Sequence, residues 1–400
     1  MSATVEQLER ATKRLREQPL DHGRWLELAA IHHLLGNAED SETVFATLGE
    51  GARIGGQVAL AVACGRHLAE LGSMRGGELI DQVVETFATG GPHFAFSTPP
   101  APEEPPAFDP PAGTALEQAR SVVDKLGAWL TSRQTAVLPP APLLSALSKP
   151  GARALVGVMT ARAFPAGTVI IEIGQPATAL YWLAHGTVSV AREAAELGEL
   201  HSGAFFGEIA LVGGTKRTAR VTARDDVWVL EIPARAVETA AQKHPKLAEV
   251  LAHHARARLL ANLTRTSELF RALGDDDRDA LLAKFSTELV APGTTFIQEG
   301  KTNEHLWVVV SGRCQVESAG SAIAELGPGA AVGEISLVSG VTAVASVSAV
   351  EPAVLLRLSR KDFDAVAKKH PKLLAEVEKL VVARETANRA LFQDASDLIV

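Results

Sequence analysis

Two sixteen-residue stretches of this chain spell nearly the same text. Residues 206–221 read Phe-Gly-Glu-Ile-Ala-Leu-Val-Gly-Gly-Thr-Lys-Arg-Thr-Ala-Arg-Val, and residues 332–347 read Val-Gly-Glu-Ile-Ser-Leu-Val-Ser-Gly-Val-Thr-Ala-Val-Ala-Ser-Val. The likeness continues outside them without a gap. Gly167 pairs with Gly293, Gly174 with Gly300, Gly186 with Gly312, Glu208 with Glu334 and His244-Pro245 with His370-Pro371, each 126 positions apart. A fixed period of this length marks two copies of one structural unit.

Each copy opens on a short helical stretch, 142–147 in one and 269–273 in the other. Short β-rich segments follow at 168–173, 179–183, 187–190, 221–223 and 227–232, separated by glycines that supply the positive φ of tight turns. Strands this short and this often broken predict a jelly-roll-like β-roll. A helix then starts at Pro245, a residue suited to a first helical position. Its counterpart is expected from Pro371 to about Phe392, with Leu373, Val377, Leu380, Val381 and Ala387 on one apolar face.

The first stretch carries the groups a cyclic phosphodiester needs. Gly207 lacks a Cβ and lets backbone approach a ligand. The carboxylate of Glu208 only accepts, which suits a ribose hydroxyl, and Ile209, Ala210 and Leu211 open a short helix with free N–H groups. Arg217 adds a permanent planar fork that matches two phosphate oxygens at once.

Phe206-Gly-Glu-Ile-Ala-Leu211 with Arg217-Thr218-Ala219 at this spacing resembles the phosphate-binding cassette of the cyclic-nucleotide-binding domain, found in regulatory subunits of cyclic-AMP-dependent protein kinase and in the catabolite activator protein family. The resemblance implies that Glu208 holds the ribose, that Arg217 and the Ala210 backbone hold the cyclic phosphate, and that Leu211 relays the change to neighbouring helices. Thr218 occurs in binders of either base and leaves the base open, with cyclic AMP preferred over cyclic GMP. In the second copy Ala343 stands opposite Arg217. Losing a desolvated charged pair costs about 2 to 5 kcal/mol, roughly two orders of magnitude in affinity or more, so the second copy is expected to be empty or structural.

Residues 1–90 show apolar positions at helical spacing, broken by Gly36, Gly51, Gly55, Gly72 and Gly90. Trp25, Leu28, Ala29, Gly36 and Phe45 approach tetratricopeptide spacing, but His32 and Ser41 stand where that repeat wants a tyrosine and a small residue, so packed antiparallel helices are the plainer reading. Prolines 92, 99, 100, 102, 105, 106, 110 and 111 predict a semi-rigid linker over 91–113. The expected division is thus an all-α domain over 1–90, possessing at most tetratricopeptide-like character, the linker, a first cyclic-nucleotide-binding domain over 114–264 and a degenerate second over 265–400: a multidomain chain with two β-roll domains and flanking helices.

With 39 basic against 47 acidic residues the formal charge is −8, which disfavours nucleic acid. No run of 18 apolar residues occurs, the charged N-terminus does not suit a signal peptide, and two cysteines make no disulfide framework, so a bacterial-type cytoplasmic protein is expected. His32-His33 and His253-His254 are adjacent on expected helices and diverge by about 100°, so no metal site is read from them. Tyr181 and Trp307 read as core aromatics, and Arg192, Arg224 and Lys216 as solvated charges.

No catalytic motif is present, nor the kinase-inhibiting Arg-Arg-x-Ser, and only residues 393–400 follow the expected last helix, so no winged helix is expected. The reading is a non-enzymatic cyclic-nucleotide-responsive regulator or adaptor, with ligand in the first domain and output through the N-terminal helices to a protein effector or a second copy. A ligand-free assembly protein is the alternative, and an atypical transcription regulator the less favoured one.

Overall fold

The computed structural model describes residues 4–89, 105–132, 141–192, 195–266 and 281–369, with 374, 375, 377–379, 381 and 382 beyond them. The expected helical stretch at 269–273 lies outside the described residues, as do Leu373, Leu380 and Ala387 of the expected closing helix. The part of that helix that is described is helical, and Val377 and Val381 are buried.

Six helices come first: α1 (Val5–Glu17), α2 (His22–Leu34), α3 (Ala38–Ile54), α4 (Val58–Glu70), α5 (Met74–Phe87) and α6 (Ala115–Ser132). Helix α1 starts on a reciprocal cap, in which Thr4 N–H donates to the Gln7 side chain and Gln7 N–H to the Thr4 hydroxyl. Trp25, Leu28, Ala29 and Phe45 are buried as their spacing predicts. His32 and Ser41 are buried with them, and the Ser41 hydroxyl donates to the Ala29 carbonyl at 2.9 Å. Gly51, expected to break a helix, lies inside α3, where a Cβ would stand 3.1 Å from Leu130 of α6.

Proline content predicts a spacer before α6, yet its described end is anchored. Phe108 packs on the core beneath the ammonium of Lys125, and Asp109 pairs with Arg16 at 3.4 Å. The sequence grouped α6 with the first roll; it packs instead on α1 and α3, and Arg120 grips Asp40 with both arms at 2.6 and 3.0 Å.

The first roll follows α7 (Pro142–Ser145) and α8 (Lys149–Gly157). Its strands are β1 (Thr160–Phe164), β2 (Val169–Ile171), β3 (Ala179–His185), β4 (Thr187–Arg192), β5 (Ala195–His201), β6 (Phe205–Phe206), β7 (Arg220–Ala223) and β8 (Val227–Pro233), with α9 (Glu208–Gly213) between β6 and β7. Helices α10 (Ala234–Lys243) and α11 (Pro245–Thr266) close it. The second roll repeats the pattern in β9 (Ser286–Val290), β10 (Thr295–Ile297), β11 (His305–Ser311), β12 (Cys314–Ser318), β13 (Ser321–Leu326), β14 (Ala331–Val332), α12 (Glu334–Ser339), β15 (Ser346–Ala349), β16 (Ala353–Ser359) and α13 (Arg360–Ala367). Strand orders β1-β8-β3-β6 and β2-β7-β4-β5 recur as β9-β16-β11-β14 and β10-β15-β12-β13.

Alternation along β3 and β8 gives the first sheet two apolar faces. Leu183, Val227 and Val229 point into the roll with Phe206. Leu180, Trp182, Ala184, Leu230 and Ile232 point outward and merge with the core of the N-terminal helices, with α4 and α10 packed on these strands. At the seam Phe45 stacks on Trp228 with centroids 5.5 Å apart and planes at 14°, and His67 lies 4.5 Å from Phe45. Burial lowers the proton affinity of His67 there. The helical region is therefore fused to the first roll, not tethered beside it.

Helix α11 joins the two rolls. Leu247 and Leu251 enter the first core, and Leu259 enters the second with Leu306, Val308 and Leu356. Arg256 donates to the Phe285 carbonyl at 2.9 Å and the Thr287 hydroxyl at 3.0 Å. Both cysteines are free and buried, Cys64 in α4 and Cys314 in β12; burial raises each thiol, that of Cys314 to about 11. Among the described residues no helix is long and apolar enough to cross a membrane.

A chain starting at residue 114 would uncover the outward face of β3 and β8 and the inner face of α6. Such a truncation is expected to lose the cooperative thermal transition of the first roll and to go largely to the insoluble fraction. A soluble, cooperatively melting product with unchanged ligand affinity would contradict the shared core.

Candidate functional site

Gly207, at φ 87°, turns the chain from β6 into α9 and directs Glu208 inward. A Cβ at Gly207 would collide with the Arg217 guanidinium, so this position takes glycine both for its backbone angle and for its closeness to that side chain. Arg217 is placed by backbone bonds: its N–H donates to the Gln175 carbonyl at 2.8 Å, and its carbonyl accepts from Gly174 N–H at 2.9 Å. Its side chain is 5% exposed and donates from Nη1 to the Gly207 carbonyl at 3.0 Å and from Nη2 to the Ala179 carbonyl at 2.6 Å. Two of the five N–H groups of a guanidinium are thus committed to backbone.

Glu208 is 1% exposed. It pairs with Arg258 of α11, whose Nη1 lies 3.2 Å from Oε1 and donates to Oε2 at 3.4 Å. Oε1 accepts no hydrogen bond, so a buried acceptor keeps spare capacity. Burial raises the Glu208 carboxyl above the usual range, opposed by Arg258 and then by Arg217. Burial likewise lowers Arg217, opposed by Tyr181 and Glu208.

These groups converge on a cavity of about 190 Å³. Phe206, Gly207, Glu208, Ile209, Ala210, Arg217, Thr218 and Ala219 all line it. Leu211 does not; it packs on the core shared with the helical region, while Ile209 also touches the core of the second roll. Arg258, Ala261 and Asn262 of α11 form the opposite wall.

Sequence reasoning missed Arg258, which sits outside the cassette. The same offset of 126 pairs it with Arg384, and that recurrence was the available signal. Tyr181 is more than core: its ring stacks on Phe206 at 5.2 Å and lies 5.8 Å from the Arg217 guanidinium. Arg192, expected to be solvated, is buried and donates to the Thr218 carbonyl at 2.8 Å. Arg224 and Lys216 are exposed and pair with Glu196, Glu199 and Glu351. Among the described residues no three His, Cys, Asp or Glu side chains group as metal ligands.

The second cassette repeats the backbone without the cation. Gly333 takes φ 87°, Glu334 is 3% exposed, and Ala343 N–H donates to the Lys301 carbonyl at 2.8 Å as Arg217 does to Gln175. Ala343 is buried where the arginine would start.

The sequence model of the cyclic nucleotide-binding domain family matches residues 161–244 and 287–370. A cAMP-dependent protein kinase regulatory subunit of Candida albicans is 26% identical over 216 residues, 53% of this chain and 44% of that protein. A cyclic nucleotide-gated potassium channel of Mesorhizobium japonicum is 38% identical over 96 residues, 24% of this chain and 26% of that one. The chain thus spans less than half the length of these relatives. The regulatory domain of Toxoplasma gondii PKA, solved with cAMP, is 18% identical, with 61% of this chain and 92% of that chain covered at a TM-score of 0.30.

A carboxyl whose folded-state value is raised costs stability when ionised; the cost is absent below the unfolded value, roughly 4.3, and complete above the folded one. The ligand-free protein should therefore lose melting temperature through Glu208 as pH rises across that window. Glu208→Gln, which keeps the size and the Arg258 contact, is expected to remove that share of the loss. Thermal scans of both proteins from pH 4 to 8 check this, and parallel profiles would contradict it.

Proposed function

Because the chain carries two cyclic nucleotide-binding domains, homologous to regulatory subunits of cyclic-AMP-dependent protein kinase, we propose that the first binds one cyclic nucleotide, cyclic AMP in preference to cyclic GMP, and that output runs through protein contacts. The observation that carries this reading is the convergence of Glu208 and Arg217 on one cavity, each with bonding capacity unspent. The ribose hydroxyl donates to Glu208, and the cyclic phosphate meets the uncommitted N–H groups of Arg217 and the backbone at Ala210. The two charges are 9 residues apart along the cassette.

The ligand has to enter against α11. A cavity of about 190 Å³ is below the roughly 300 Å³ at the lower end of small-molecule sites. The ribose also competes with Arg258 for Glu208. Binding therefore displaces α11, and since that helix reaches both cores, the displacement is felt by the helical region and the second roll as a shift between two arrangements. Partners recognised through the N-terminal helices, including a kinase-type catalytic subunit or a second copy, read that shift; the chain itself acts as a regulator and not as an enzyme.

Calorimetric titration of the full chain with each nucleotide is expected to give one site, with cyclic AMP the tighter ligand. Arg217→Ala should weaken it by about two orders of magnitude or more, and Arg217→Lys should not restore it, since a point charge lacks the fork. Ligand at a hundred times its Kd should add about 2.7 kcal/mol of stability. Two equivalent sites, or affinity that survives Arg217→Ala, would overturn the assignment; absence of binding to both nucleotides would favour the ligand-free assembly reading.

A further inference from the structure

The two rolls have exchanged one polar group between two positions. In the first roll, residue 177 is alanine and residue 217 is arginine; at the equivalent positions of the second, residue 303 is asparagine and residue 343 is alanine. Arg217 ties together the carbonyls of Ala179 and Gly207, which join the start of β3 to the start of the cassette helix. The corresponding carbonyls of the second roll belong to His305 and Gly333. Asn303 Nδ2 donates to both, at 2.7 Å and 3.4 Å, and its Oδ1 accepts from His305 N–H at 3.3 Å. Asn303 is 7% exposed.

We propose that Asn303 is the positioning residue of the second roll, which braces its cassette in the way that Arg217 braces the first but without charge, so that this cassette is set in the absence of a ligand and excludes a cyclic phosphate. The backbone frame is the same in both rolls. Gly300 N–H donates to Ala343 O at 2.8 Å just as Gly174 N–H donates to Arg217 O at 2.9 Å, so at this position the difference lies in the side chains. A Cβ built on Gly333 would collide with the His305 carbonyl and Asn303 Nδ2, in the way that one on Gly207 would collide with Arg217. The amide therefore stands in the space of the guanidinium.

A second fastening acts at the other end. Arg360 donates to the Ser336 and Leu337 carbonyls, both at 2.6 Å, and so holds the end of α12. The equivalent position in the first roll is Ala234, and the carbonyls of Ala210 and Leu211 there accept from the backbone N–H groups of Thr215 and Gly214. One cassette is held by a group that a phosphate can also engage; the other is clamped at both ends by groups with no such duty.

The consequence is that Ala343→Arg alone is a poor repair, because the incoming guanidinium meets carbonyls already taken and an amide in its place. Full-length protein and three variants, Asn303→Ala, Ala343→Arg and the double variant, test this by hydrogen exchange of residues 333–339 and by cyclic AMP titration. Asn303→Ala is expected to speed exchange in that segment about tenfold, and Ala343→Arg to restore protection in that background while adding little in the wild-type one; such coupling is what contact-sharing residues show. In the titration, which rests on the nucleotide reading above, only the double variant should gain a second site. Unchanged exchange in Asn303→Ala, failure of the double variant to regain protection, or a second site in Ala343→Arg alone would each overturn the proposal. The exchange measurements need no ligand, so a chain that binds no nucleotide at the first roll still decides the bracing role.

Discussion

The outward face of the first roll is the constraint on which the rest of the architecture depends. Leu180, Trp182, Leu230 and Ile232 are each 3% exposed or less and lie on the side of the sheet away from the roll's own interior. Leaving such a face in water costs about 1.5 to 3 kcal/mol per large side chain, so something has to cover it. Helix α4 does, and with it comes the whole N-terminal bundle; α10 and α11 complete the cover. The helices before the proline-rich segment, α6 after it and the first roll thus share one core.

The same burial governs the electrostatics of the site. Glu208 and Arg217 are both almost inaccessible, and direct pairing would be the simplest way to keep them so. They do otherwise. Glu208 leans on Arg258, and Arg217 on two carbonyls, so neither cancels the other. A carboxylate and a guanidinium neutralised against each other would have little left to offer a ligand that is itself a hydroxyl at one end and an anion at the other. Held apart, each retains the sign and the valence that such a molecule needs.

What could be read from the sequence was whatever the repeat preserved. The β-rich runs of the first copy predict strands β2, β3, β4, β7 and β8, and of the candidate ligand residues named from the cassette all but Leu211 line one cavity. Strand β1 was missed because Thr160, Arg162 and two small alanines leave it no run of large apolar residues, and β5 because Gly198 and two glutamates interrupt it. Arg258 and Asn303 were missed for a different reason. Arg258 acts on Glu208, 50 residues away, and Asn303 links the neighbouring His305 to Gly333, 30 residues away, so folding brings these partners near and neither residue belongs to a recognisable string. Composition gave no sign of the contact at the described end of the proline-rich segment, where a single aromatic, Phe108, packs on the core.

The two buried thiols divide the molecule in a way that nothing in their chemistry requires. Cys64 sits at the centre of the helices that cover the first roll, and Cys314 inside the second. Neither side chain can meet a reagent until its own neighbourhood opens, because burial both blocks access and keeps the thiol protonated. The chain therefore carries two native clocks, one per half, whose alkylation rates time the breathing of each half separately and reveal whether they open together or in turn.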